Sequence, residues 1–77
     1  MSVMDITVKL YAVLQLERFK EKRMSFPDGS TVDDVVRVLN LPAEHVDILL
    51  INGVHVSPDQ VLREGDVLSI LPMVEGG

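Results

Sequence analysis

The sequence contains no cysteine. That absence removes disulfide staples, iron–sulfur ligation and thiol catalysis together. A domain this small, lacking staples and metal, must rest on its apolar core. No apolar stretch approaches membrane-spanning length. The N-terminus lacks the basic start and long apolar run of a secretory signal. The expected location is therefore the cytoplasm, with no membrane partner. Repeats and low-complexity segments are missing as well.

Positive charge is scarce: seven Lys and Arg stand against twelve Asp and Glu, a net charge of -5. An acidic domain repels phosphate backbones, so no nucleic-acid partner is expected. It suits a protein partner with a basic docking surface. The local exception is Arg18, Lys20, Lys22 and Arg23, with Glu17 and Glu21 among them. Their alternating signs read as a solvated hairpin loop rather than a contact patch.

Catalytic constellations are also lacking. His45 and His55 stand alone, without metal-ligand spacing, so no metal site is expected. No serine lies in a nucleophile elbow, and no glycine loop is built to cradle phosphate. Asp33 and Asp34 suit the positive end of a helix dipole better than acid–base work.

What is present is one domain, residues 1–77, with a 47% hydrophobic share. Ile6, Val8 and Leu10 alternate with polar residues, a strand with one buried face. A polar segment leads to a short second strand, Met24 to Phe26. Pro27-Asp28-Gly29-Ser30 is a turn. Thr31 to Asn40 reads as a helix, with Ser30/Asp33 or Thr31/Asp34 as capping box and Pro42 beyond its end. Val32, Val35, Val36 and Leu39 form its apolar face. Valine is a mediocre helix former, so burial must hold this helix in place.

An apolar run from Asp47 to Ile51 precedes Asn52-Gly53, the strongest short hairpin signal, and then Val54 to Val56. Val67 to Leu71 is the last strand, with Leu68 and Ile70 on one face. One helix on one face of a mixed sheet of four to five strands is an α+β architecture, the ubiquitin-like β-grasp. The predicted packing sets the helix face against Val8, Leu10, Phe26, Leu68 and Ile70.

Residues 72–77 are expected to form a mobile tail ending in Gly76-Gly77. Two glycines at a given terminus arise by chance about 0.5% of the time. Lacking Cβ atoms, they let a chain thread a narrow channel. Six extended residues reach about 20 Å. A terminal carboxylate is unhindered but inert until its oxygen becomes a leaving group. Adenylation by ATP achieves that, and a sulfur nucleophile can then displace AMP, leaving a thiocarboxylate on Gly77.

At this point the sequence resembles the ThiS/MoaD sulfur carriers. The resemblance is carried by Val8-Lys9-Leu10-Tyr11-Ala12, by Phe26-Pro27-Asp28-Gly29-Ser30-Thr31-Val32 and by Ile51-Asn52-Gly53. It continues through Leu62-Arg63-Glu64-Gly65-Asp66-Val67 to Pro72-Met73-Val74-Glu75-Gly76-Gly77. It implies a carrier rather than an enzyme, with no bound cofactor. ATP would be used by a partner adenylyltransferase related to ubiquitin-activating enzymes. The acceptor would be the molybdopterin synthase large subunit or thiazole synthase. Pro72-x-Val74 and the long lead from Tyr11 to Met24 look more like the molybdopterin branch. Glu75 departs from the small residue usual before the diglycine. A protein modifier and a non-catalytic binding module are the other readings. In a β-grasp the first and last strands are neighbours, so Tyr11 and Leu71 are expected to form an exposed docking patch, continued by Met73 and Val74.

Overall fold

The computed structural model describes residues 2–16 and 18–73. Alternation sets β1, Val3–Leu10, in which Met4, Ile6, Val8 and Leu10 are buried. The strand starts earlier than Ile6 because Met4 continues the same buried face. β2, Glu21–Pro27, is longer than the expected Met24 to Phe26. Glu21, Lys22 and Arg23 pair with Lys9, Val8 and Thr7. The ladder to β1 therefore draws in charged residues of low strand propensity, and Lys22 and Arg23 belong to a strand, not a loop. Between the strands, Ala12–Gln15 forms a short 3-10 helix with Leu14 fully buried, where the sequence predicted only a polar link.

The turn after β2 closes with the Ser30 N–H donating to the Pro27 carbonyl at 3.1 Å. Gly29 supplies a φ of 88° there. The helix, α1, spans Val32–Val38. Four donors at its start need partners, and each has one. The Val32 and Asp33 N–H groups donate to the carbonyls of Gln60 and Pro58, at 3.0 and 2.8 Å. The Asp34 N–H donates to Thr31 Oγ1 at 3.2 Å, and the Thr31 N–H to Asp34 Oδ2 at 2.9 Å. The capping box is thus Thr31 with Asp34. The Val35 N–H donates to the Thr31 carbonyl at 3.3 Å.

At the other end Asn40 has a φ of 52°. The Leu41 N–H reaches the Val36 carbonyl and the Asn40 N–H that of Arg37, a Schellman stop with Leu41 buried beside it.

β3, Ile48–Ile51, and β4, Val54–His55, flank Asn52-Gly53. Both turn residues have positive φ, 52° and 83°, as a type I′ hairpin demands. β5, Val67–Leu71, inserts between β1 and β3, giving the sheet order β2-β1-β5-β3-β4. β1 and β5 are parallel and the other pairs antiparallel. The architecture is a ubiquitin-like β-grasp, with a five-stranded mixed sheet and one α-helix among the described residues.

The predicted core residues Val8, Leu10, Phe26, Leu68 and Ile70 are all buried, as are Val32 and Val35. Val36 and Leu39 are only partly buried, because α1 presents a narrower stripe than its sequence offers. Met4, Leu14, Leu41, Leu49 and Leu62 join the core as well.

Candidate functional site

β5 is the middle strand of the sheet, so whatever follows Leu71 departs from the centre of one sheet end. Pro72 has no N–H and cannot extend the ladder. Asp47 then takes over. Its N–H donates to the Leu71 carbonyl at 3.2 Å, and its Oδ2 accepts the Met73 N–H at 2.8 Å. This aspartate fixes the direction in which the chain leaves the sheet. Sequence reasoning passed over it; the signal was an acid directly before a strand antiparallel to the last one. Met73 itself is 65% exposed.

The sheet face away from α1 carries Tyr11 and Leu71, which the sequence expected to be an exposed patch; Leu71 is half-buried there because Ile48 of β3 pairs beside it. Residues paired across a ladder share a face. Ile48 pairs with Leu71, Leu50 with Ser69, and Val67 with Thr7. β1 ends with Leu10 beside Ile70, so one further step along β1 brings Tyr11 level with Leu71. Tyr11 is 39% exposed, and Leu71, Ile48, Leu50 and Val67 are half-buried. The structure thus places Tyr11 and Leu71 on one face and adds Ile48 and Leu50, which the sequence put on the strand before the Asn52-Gly53 hairpin but not in the patch. Val74, Gly76 and Gly77, the rest of the predicted site, lie outside the described residues.

The side chains elsewhere make no catalytic arrangement among the described residues. A depression of about 270 Å³ is lined by Ile51, Val56, Gln60, Val61, Arg63 and Asp66. It contains no nucleophile, and the Asp66 carboxylate already accepts from the Arg63 N–H and from Asn52 Nδ2. His45 is half-buried and His55 exposed. No three His, Asp or Glu among the described residues converge as metal ligands. No described helix is long and apolar enough to cross a membrane.

Known structures share this architecture. A Pyrococcus furiosus protein described as molybdopterin converting factor, subunit 1, is 26% identical. It superposes with a TM-score of 0.76 over 92% of this chain and 99% of its own. SAMP1 of Haloferax volcanii gives a TM-score of 0.77 at 22% identity, over 95% of this chain and 99% of that one. The solution structure of the Haloferax volcanii HVO 2177 protein gives 0.81 at 24% identity, over 97% and 88%. The family model for ThiS matches residues 8–77, from the second half of β1 through the diglycine. Strand order, helix and terminal motif agree with that match, and the chain belongs to the ThiS family.

Proposed function

We propose that this chain is a sulfur carrier acting through the carboxyl group of Gly77, with molybdopterin synthesis as the pathway served. The observation that supports it is a family match running through Gly76-Gly77, on a domain whose own side chains form no reactive site among the described residues. The likeness to the Pyrococcus furiosus molybdopterin converting factor favours that pathway over thiamine synthesis.

The chemistry needs little from the carrier. A Gly77 carboxylate oxygen attacks the α-phosphorus of ATP and pyrophosphate leaves, giving an acyl adenylate. A sulfur nucleophile at the sulfide level attacks the carbonyl carbon, and AMP leaves with the bonding pair. The product is a thiocarboxylate, which hands its sulfur to the acceptor. A chain without cysteine has no thiol of its own to attack the activated carbonyl. Gly76 gives the approach its conformational freedom. The adenylyltransferase and then the synthase large subunit would dock on Tyr11, Leu71, Met73 and Val74 in the cytoplasm.

The test is ATP–pyrophosphate exchange with the cognate adenylyltransferase, with intact-mass analysis of the carrier. Wild type should support exchange and gain one sulfur in place of one oxygen. Deleting Gly77, or extending the chain past it, should abolish both while the melting curve stays unchanged. Undiminished exchange by the extended carrier would overturn the proposal. A protein modifier would start from the same carboxylate, and recovery of the chain linked to lysines would favour that reading.

A further inference from the structure

The two sheet edges differ. β4 has two residues, too few to template another strand, whereas β2 has seven. Two hydrogen bonds bracketing the β1–β2 ladder fix which backbone groups of β2 face outward. The Leu10 N–H donates to the Lys20 carbonyl at 2.9 Å, and the Asp28 N–H to the Ser2 carbonyl at 3.1 Å. Bonded and non-bonded pairs alternate along an antiparallel ladder. With Val8 opposite Lys22, Ile6 opposite Met24 and Met4 opposite Phe26, these even-numbered residues carry the bonds to β1. Glu21, Arg23 and Ser25 therefore point both N–H and C=O away from the sheet. Pro27 is next in that series; its missing N–H faces outward, where an edge strand tolerates proline. The Pro27 carbonyl is already taken by the Ser30 N–H. The edge thus offers alternating donors and acceptors over about five residues, followed by a stop.

Charge decides what fits there. Arg18, Lys20, Lys22 and Arg23 are four of the seven cations in a chain of net charge -5. Arg23 lies 3.7 Å from Asp5, while Arg18, Lys20 and Lys22 have no carboxylate partner among the described residues. Lys22 sits over the Phe19 ring at 5.9 Å, on the side of the sheet that faces α1. Half-buried Met24 follows on that side. The helix-facing flank of the edge therefore runs cation, cation, apolar. Exposed cations guard an edge against pairing with its own kind, but opposite carboxylates they attract.

We infer that β2 accepts an added strand from a protein partner: an extended acidic segment with an apolar residue against Met24 and carboxylates, at alternate positions, against Lys22 and Lys20. A second copy of this chain is the poorer occupant, since β2 against β2 brings two sets of the same cations together. The contact is independent of the carboxyl chemistry proposed above.

The test is an NMR titration of the nitrogen-labelled chain at low salt with a blocked peptide, Thr-Val-Thr-Glu-Thr-Glu-Thr. The largest amide shifts should fall on Glu21, Arg23 and Ser25, whose amides should also exchange more slowly once the peptide is bound. A control peptide with lysine in place of glutamate should bind at least about tenfold more weakly. The Lys20→Glu, Lys22→Glu double variant should lose affinity for the acidic peptide by a similar factor. Ser25→Pro removes one outward donor and should weaken binding too. The double variant alters only exposed side chains, so it decides the matter even where Ser25→Pro fails to fold. Shifts centred elsewhere, equal binding of the lysine peptide, or self-association through β2 would each overturn the inference.

Discussion

Asn52 grips Val67 at both backbone groups. Its own N–H donates to the Val67 carbonyl at 2.9 Å, and its Oδ1 accepts the Val67 N–H at 3.0 Å. Its Nδ2 donates to Asp66 Oδ1 at 3.1 Å. The β3–β4 turn thereby sets where β5 begins. Asn52→Ala loses both side-chain bonds and puts a Cβ-bearing residue without them at positive φ. It should cost about 1–3 kcal/mol, read as a lower urea midpoint with an unchanged slope. Asn52→Gly should cost less, because glycine tolerates the backbone conformation.

The two valines in the middle of α1 should respond differently to charge. Val35 is 0% exposed and packed in the core. Val36 is only partly buried. Val35→Asp buries an unpaired carboxylate and should cost about 4 kcal/mol or more, enough to unfold most of a domain this small. Val36→Asp should cost clearly less, since its carboxylate can reach water. Paired thermal melts would check this, and equal losses would mean that the helix is rotated from its described position.

The outer patch should matter for association and little for folding. Leu71→Asp and Ile48→Asp place charges on facing residues of the sheet surface opposite α1. Each should weaken binding to the adenylyltransferase proposed above by about tenfold or more. The melt should fall by no more than a few degrees. Calorimetric titration beside a thermal melt measures both, and unchanged affinity in both variants would exclude this face as the docking surface.

Sequence periodicity served well where side chains alternate or punctuate strongly. β5 and the Asn52-Gly53 hairpin were readable from local pattern, and the capping box was narrowed to Ser30/Asp33 or Thr31/Asp34, of which the structure shows the second. What local pattern missed depends on distant partners. The charged half of β2 is held by its ladder to β1, which no propensity scale contains. The Ala12–Gln15 helix starts at Ala12 with a φ of 54°, a conformation that an alanine does not advertise. The carbonyls of Pro58 and Gln60 that complete the start of α1 lie more than twenty residues away in sequence. In the candidate site, Tyr11 and Leu71 could be placed together from sequence because Tyr11 directly follows the first strand and Leu71 ends the last. Asp47 and Ile48 could not, since their role depends on β3 lying beside β5.

The position of β5 carries a consequence for synthesis. β5, last in chain order among the described strands, is the one that fills the middle of the sheet. While a ribosome still holds residues 67–71, β1 and β3 face a gap that nothing earlier in the chain can fill. Loop closure across nearly the whole length must then come before the sheet is complete. A chain truncated before Val67 therefore lacks the strand that joins β1 to β3, and with it Leu71 on the outer sheet face. On the proposed function, a partner that docks on that face would engage only chains in which β5 has already taken its place in the sheet, so the topology couples recognition to folding.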